Sequence, residues 1–495
     1  MSITIAQLMD ESGVGFGTSG ARGLADAMTD RVCYAYTVAF LQLFESRHII
    51  NKGDAVAIAG DLRSSTPRII QACIAAIEDQ GYQTIYCGCI PTPALALLGL
   101  DQEIASLMVT GSHIPDDRNG IKFYKPAGEI MKDDEVGMRG QSINVPDNRF
   151  GSDELLISPN QLPEPDQSAR LLYQSRFTDF FHVKQFEGLR IGLYQHSSVV
   201  RDMLTETLEA LGAEVICLGR SDNFIPVDTE AIRAEDIVLA KNWSQEFNLD
   251  VIVSTDGDGD RPLVSDENGQ WLRGDIVGML CARYLGAQVV VTPVSSNSVV
   301  EKSDYFSVVK RTKIGSPYVI AAMDDALSEG LSQVVGYEAN GGFLQADSLT
   351  KNGHQLTALP TRDACIVIFA VIAMAKDSGD SISSLLEALP SRFTYSDRLK
   401  NVATSLSQEK IKYFTELDED GNHERVESIF GPLFGKVSSL DMTDGLRISF
   451  DSEEVVHLRP SGNAPELRCY NEASTASRAQ EMNVLCLSIL KTWCE

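Results

Sequence analysis

Between residues 54 and 342 the chain repeats one rhythm three times. An apolar strand-like run, a helix-like run and further apolar runs give out into a polar, glycine-rich segment. In the first round Asp54–Gly60, Tyr82–Cys87 and Ala105–Val109 read as strands, with helices over about 31–48 and from Pro67 to about Gln80. The second round has Leu189–Tyr194, Ala213–Cys217 and Leu249–Ser254 as strands, with a helix over 198–211. The third has helices near Asp275, after Ser295 and over 316–327, with strands at Ala287–Thr292, Tyr305–Lys310 and Gln333–Tyr337. Short apolar runs alternating with helical patterns specify α/β layers. Ligands of open α/β sheets sit at the carboxyl ends of strands. The economical arrangement therefore turns all three polar exits toward one cleft.

The remaining sequence sets the boundaries. A chain of 495 residues exceeds one hydrophobic core. Residues 127–167, rich in Asp, Pro, Asn and Ser, read as an excursion and linker. From about Ser391 the pattern changes to a helix over 408–417, strands at Leu446–Phe450, Val455–Leu458 and Glu466–Tyr470, and a helix from about Thr475. The expected fold is three similar strand-helix-strand α/β domains, 1–160, 170–268 and 269–388, and a smaller C-terminal α+β domain, 392–495, around a central cleft.

A net charge of −27 argues against nucleic acid and anionic membranes as partners. No apolar run is long enough to span a bilayer, and Met1-Ser-Ile-Thr-Ile-Ala6 lacks a signal-peptide layout. Ten scattered cysteines suit reduced thiols in a cytoplasm. Any anionic ligand needs a site that supplies its own cations.

Each exit carries candidate chemistry. Thr110-Gly-Ser-His-Ile-Pro115 places Ser112 between a glycine and His113, as a surface turn or as a nucleophile or phosphate carrier. Asp256, Asp258 and Asp260 alternate with glycines after an apolar run. Three carboxylates so close call for a hard cation, Mg²⁺ or Ca²⁺. An EF-hand is the rival, since Glu267 is twelfth from Asp256, but Arg261 stands where that loop needs glycine. Arg459-Pro-Ser-Gly-Asn463 reads as an anion cradle or as a β-turn between strands. Gly13–Gly23 is glycine-rich without P-loop spacing and presents Arg22.

Taken together these segments resemble the α-D-phosphohexomutase superfamily, the phosphoglucomutase, phosphomannomutase and phosphoglucosamine mutase group. Thr110-Gly-Ser-His-Ile-Pro115 resembles its phosphoserine loop, usually Thr-Ala-Ser-His-Asn-Pro. Asp256-Gly-Asp-Gly-Asp-Arg261 matches its metal loop letter for letter. Gly336-Tyr-Glu-Ala-Asn-Gly-Gly342 is similar to its sugar loop, Arg459–Pro465 to its phosphate loop and Gly17–Gly23 to its N-terminal signature. The departures are Gly111 and Ile114 in the serine loop, where loss of the asparagine would loosen the turn, and Asn463-Ala464 in the phosphate loop.

The resemblance implies a phosphohexomutase interconverting hexose 6- and 1-phosphates, of mannose or glucose, through phospho-Ser112 and a hexose 1,6-bisphosphate, which also serves as activator. One Mg²⁺ would be held by the Ser112 phosphate, Asp256, Asp258 and Asp260. Glu338 and Asn340 would grip the sugar, with Lys313 as a further contact from Thr312–Gly315. Arg459, Ser461, Gly462 and Asn463 would hold the phosphate. Arg261 would offset charge on the transferring group, and Lys122, with a depressed pKa, would be the general base beside Arg22 and His113. A hinged C-terminal domain would close over the reorienting intermediate. The alternatives are a phosphoacetylglucosamine or phosphoglucosamine mutase, prompted by Glu338-Ala-Asn340, and a non-catalytic sugar-phosphate-binding protein. Expected partners are small sugar phosphates, with the chain a monomer or small homo-oligomer.

Overall fold

A computed structural model describes residues 2–17, 20–146, 148–461 and 465–493. The three rounds form three sheets of like topology. In the first, Gln83–Cys89, Ala55–Gly60 and Ala105–Val109 run parallel in that spatial order, and Arg118–Lys125 adds an antiparallel fourth strand. Glu214–Leu218, Arg190–Tyr194, Val251–Thr255 and antiparallel Pro262–Val264 repeat this order. Val308–Thr312, Val289–Pro293, Val334–Tyr337 and antiparallel Phe343–Gln345 repeat it again. The strands that enter the motif loops are central ones, buried on both faces, which is why they read as continuous apolar runs rather than alternating ones.

The antiparallel fourth strand was not expected from sequence. It means that each motif sits on the tight return between a parallel and an antiparallel strand, a short connection with little freedom. The first sheet also gains Gly15–Phe16 and Ala21–Leu24, and the latter carries Arg22 beside Gly120. The segment read as an excursion contains the helix Lys132–Arg139 and the strand Ser142–Asn144, which pairs with Ser2–Thr4.

Each of the three sheets keeps a separate core on one face, while a single large cluster joins their other faces through the helices Thr92–Asp101, Gly274–Leu285 and Ala364–Ser378. The C-terminal region is a five-stranded antiparallel sheet, with Phe393–Lys400 at one edge and Val437–Asp441 at the other. Helices Thr404–Tyr413, Glu419–Phe434 and Ala476–Lys491 cover it, and its core is its own. Polar contacts attach it to the third sheet: Ile314 N donates to Asp444 Oδ2 at 3.0 Å, and Asn297 Nδ2 to the Arg392 carbonyl at 3.0 Å.

Candidate active site

The Ser112 loop leaves the strand Ala105–Val109 and returns as Arg118–Lys125. Ser112 itself has φ 56°, a left-handed conformation uncommon for a residue with a side chain. Its backbone is held by a second turn in the same sheet. Ser112 N donates to Thr110 Oγ1 at 2.8 Å, and Thr110 Oγ1 donates to Asp61 Oδ2 at 2.8 Å. Arg63, 1 % exposed, donates to the carbonyls of Ser112 (2.8 Å), Ile114 (2.6 Å), Pro115 (2.6 Å) and Arg118 (3.0 Å). One rigid guanidinium fork therefore does what the missing asparagine was expected to do, and the loop is tied rather than loosened. The other departure fits the same group, because a Cβ on Gly111 would lie 2.6 Å from Arg63 Cζ.

The second loop meets the first directly. Ser112 Oγ donates to Asp256 Oδ2 at 2.6 Å. Asp256, Asp258 and Asp260 are all buried, and one oxygen from each lies within 4.8 Å of the others. Asp258 Oδ1 and Asp260 Oδ1 have no hydrogen-bond partner among the described residues. Buried carboxylates with orphaned oxygens and an all-oxygen donor set fit a divalent cation. The EF-hand alternative fails on topology: strands flank the loop on both sides, and the Glu267 carboxylate accepts from Ser383 instead of facing it.

The same carboxylates are braced by cations. Lys122 Nζ donates to Asp258 Oδ2 and Asp260 Oδ2, each at 2.7 Å, and Arg362 Nε to Asp260 Oδ2 at 3.0 Å. Thr92, at the start of its helix, donates Oγ1 to Asp258 Oδ2 at 2.5 Å. Burial and the neighbouring Asp258 and Asp260 push the Asp256 carboxyl far up, whereas Arg362, Lys122 and Arg261 overcome burial and hold Asp260 low. The expected depression of the Lys122 pKa is corrected here. Burial disfavours its charge, but Asp258 and Asp260 outweigh it, and the ammonium is held above its ordinary range.

His113 is the neutral group of the site. Its Nδ1 lies 3.2 Å from Ser112 Oγ and 3.0 Å from Arg261 Nη1. An arginine can only donate, so Nδ1 is an acceptor and the ring proton is on Nε2. Burial, with Arg261 next, lowers its pKa to about 3. Burial and Arg261 likewise bring Arg22 down to about 10.

These loops open into a cavity of about 440 Å³, which also receives Glu338 and Asn340 from the third sheet and Arg459 and Ser461 from the C-terminal one. Arg22, Lys122, Lys132, Arg261, Arg362, Arg459 and Arg468 line it, against the carboxylates Glu230 and Glu338. A chain with net charge −27 has thus gathered cations where an anion would enter. The sugar loop is braced internally, Gly342 N donating to Asn340 Oδ1 at 2.9 Å, and Thr229 Oγ1 donates to the Asn340 carbonyl at 2.8 Å. Arg459 Nε donates to Asp444 Oδ2 at 2.9 Å.

Not every expected residue is brought in. Lys313 is exposed, 5.9 Å from the Tyr318 ring centroid, and its neighbours Ile314 and Gly315 line the cavity in its place. Gly462 and Asn463 lie outside the described residues. Sequence reading missed Arg63, Thr92, Lys132, Glu230, Arg362 and Arg468. None of them lies in a motif loop, and the one local signal is Thr361-Arg-Asp363 directly before an apolar helix.

Comparison with known proteins places this geometry. Residues 13–139, 172–269 and 273–393 match the alpha/beta/alpha domains I, II and III of phosphoglucomutase/phosphomannomutase, respectively. The chain is similar to a phosphomannomutase of Salmonella muenchen, 44% identical over 485 residues, with 98% of this chain and 97% of the relative covered. A phosphomannomutase of Sinorhizobium fredii is 41% identical over 477 residues, with 96% and 98% covered. A phosphoglucosamine mutase of Listeria monocytogenes is 25% identical over 489 residues, with 94% and 95% covered. Among solved structures, a phosphoglucomutase/phosphomannomutase family protein of Burkholderia thailandensis shares the fold with TM-score 0.73 at 19% identity, over 99% of this chain and 98% of that one. By these matches the chain belongs to the phosphoglucomutase/phosphomannomutase family.

Proposed function

We propose that the chain is a phosphohexomutase that interconverts hexose 6-phosphate and hexose 1-phosphate, with mannose phosphate as its substrate. The observation that carries this reading is the meeting of Ser112 with the Asp256 carboxylate at 2.6 Å, at the edge of a cation-lined cavity. Mannose is favoured over the acetylated sugars because the phosphomannomutase relatives stand at 44% and 41% identity and the phosphoglucosamine mutase at 25%.

Ser112 carries the phosphoryl group. Arg459 and Ser461 hold the substrate's own phosphate, a role that the motif resemblance extends to Gly462 and Asn463, while Glu338 and Asn340 take ring hydroxyls; for Lys313 the resemblance alone speaks. Asp256, Asp258, Asp260 and the Ser112 phosphate would hold one Mg²⁺, which offsets charge on the transferring group. Arg261, Arg22 and Lys122 add fixed positive charge there. Phosphoryl transfer depends mainly on positioning and electrostatic stabilisation, so a protonated Lys122 serves as a cation rather than as a base. His113, neutral and accepting from Arg261, lies 3.2 Å from Ser112 Oγ and helps to orient it, while the serine proton faces the Asp256 carboxylate at 2.6 Å.

We divide the chain at 160–170, 268/269 and 388–392, and place it in the cytoplasm as a monomer or small homo-oligomer. The separate C-terminal core supports the last boundary, and the free state of every described cysteine suits a reducing compartment. No described helix is long and apolar enough to cross a membrane.

The test is a mutase assay with Mg²⁺ and a hexose 1,6-bisphosphate primer on mannose, glucose and N-acetylglucosamine phosphates, with Ser112→Ala as control. Serine-dependent turnover fastest on mannose phosphate supports the reading. Turnover of the acetylated sugar alone moves the substrate, and turnover that survives Ser112→Ala removes the mechanism.

A further inference from the structure

Arg362 belongs to none of the motif loops, yet it is 3 % exposed and lines the cavity. Its fork is divided between two carboxylates from different sheets. Nε donates to Asp260 Oδ2 at 3.0 Å and Nη1 to Glu338 Oε2 at 3.2 Å. The residues on either side are anchored. Thr361 Oγ1 donates to Glu129 Oε1 at 2.7 Å, and Asp363 caps the helix Ala364–Ser378 by accepting from Ile366 N at 3.2 Å. Glu129 also accepts from Ser316 Oγ, which itself lies 3.5 Å from Arg362 Nη1. A side chain rooted between two fixed neighbours loses little freedom when it holds a partner.

The sugar loop is shaped around this arginine. A Cβ built on Gly342 would lie 2.5 Å from Arg362 Cδ and 2.7 Å from Cγ, so this glycine provides room for the arginine stem. Glu338 is 4 % exposed and faces a site that must grip hydroxyls, where a rotation of one carboxylate would misplace its acceptor oxygens. A planar guanidinium fixes such a carboxylate in a way that an ammonium does not.

We propose that Arg362 is a positioning residue for sugar binding: it ties Glu338 of the sugar loop to Asp260 of the metal loop, so that the sugar-gripping carboxylate and Asp260 share one cation. The proposal rests on the phosphohexomutase reading above for the nature of the ligand.

The full-length protein, its Arg362→Gln, Arg362→Lys and Gly342→Ala variants are titrated calorimetrically with mannose 1-phosphate in EDTA, where no turnover occurs, and then assayed with Mg²⁺. Arg362→Gln is expected to raise both the Kd and KM for the sugar phosphate by about tenfold or more, with a smaller fall in kcat. Arg362→Lys returns the charge without the fork and recovers only part of the affinity. Gly342→Ala displaces the stem, keeps the charge and weakens binding in the same direction. A folded Arg362→Gln that binds within about twofold of wild type overturns the proposal, as does a loss confined to kcat. Should Arg362→Gln not fold, the same twofold criterion applied to Gly342→Ala decides it. A wild type that binds mannose 1-phosphate but does not turn it over fails the mutase reading and leaves this inference to the calorimetry. A wild type that binds no mannose 1-phosphate overturns both.

Discussion

The Arg63 guanidinium lies 4.0 Å from the centroid of the Phe224 ring, a residue of the second module covering the arginine that ties the Ser112 loop of the first. On the other edge Arg63 Nε donates to Asp61 Oδ2 at 3.0 Å, with both side chains fully buried. Removing the cation leaves the buried Asp61 without its charge partner and takes a donor from four carbonyls. Arg63→Met should cost about 3–5 kcal/mol in urea unfolding, as breaking one side of a buried ion pair does. Phe224→Ala should cost less and should lower kcat more than it raises KM, because it frees the serine loop rather than the sugar loop. An Arg63→Met variant as stable as wild type would show that the loop is held by something else.

Gly111→Ala restores the residue usual in this family and should nevertheless destabilise this chain. The new methyl meets Arg63 Cζ at 2.6 Å, and overpacking of this kind costs about 1–3 kcal/mol. The double variant Gly111→Ala/Arg63→Lys should lose less than the sum of the two single changes. Strict additivity would mean that the two sites do not touch.

Metal should stabilise the fold through the Asp256, Asp258 and Asp260 oxygens. At a hundred times its Kd, Mg²⁺ adds about 2.7 kcal/mol by mass action, read as a Tm increase over the same protein in EDTA. Asp258→Asn should abolish that increase. Thr92→Val should leave a smaller increase at the same Mg²⁺ concentration by weakening the affinity, since Thr92 Oγ1 donates to Asp258 Oδ2. An unchanged Mg²⁺ response in Asp258→Asn would remove these carboxylates as the site.

Acid should destabilise the protein through two buried histidines far apart in the fold. His196 Nε2 donates to the Thr255 carbonyl at 2.9 Å and His457 Nε2 to the Asp444 carbonyl at 2.7 Å, and the buried Nδ1 atoms have no partner among the described residues. Burial lowers both pKa values from 6.5 to about 4. Between those values the unfolded chain binds protons that the folded chain refuses. The stabilisation is therefore complete above pH 6.5 and lost as pH falls through about 4. Each histidine accounts for up to about 3 kcal/mol of this loss. Urea unfolding followed from about pH 7.5 to 4.5 should show a shallower decline in the His196→Gln/His457→Gln variant than in wild type. Parallel declines would assign acid sensitivity to other groups, the carboxylates and the buried His113 among them.

Much of this is legible in the sequence. The strands Ala105–Val109 and Leu446–Phe450 fall on the expected residues, because each is a short apolar or alternating run with clear breakers at its ends. The strands Arg118–Lys125, Pro262–Val264 and Phe343–Gln345 were not, since each follows directly on a motif and its opening residues belong to loop chemistry. The helix Thr92–Asp101 was hidden for the opposite reason: it is buried nearly all round and shows no polar face to set a period. Ser112, the three aspartates, Glu338 and Arg459 were visible as glycine-flanked polar exits. Arg63 and Arg362 were not, because their hydrogen-bonded partners lie up to 55 and 102 residues away along the chain.

The separate core of the C-terminal sheet bears on how the cavity comes into being during synthesis. The serine, the aspartates and the sugar loop all leave the ribosome before Arg459 and Ser461, and the large shared cluster can assemble without them. Domains fold as units in the order of translation. A nascent chain would therefore own its acceptor serine and its acidic cage before it owned the wall that orients a substrate, and would spend that interval open to water on one side.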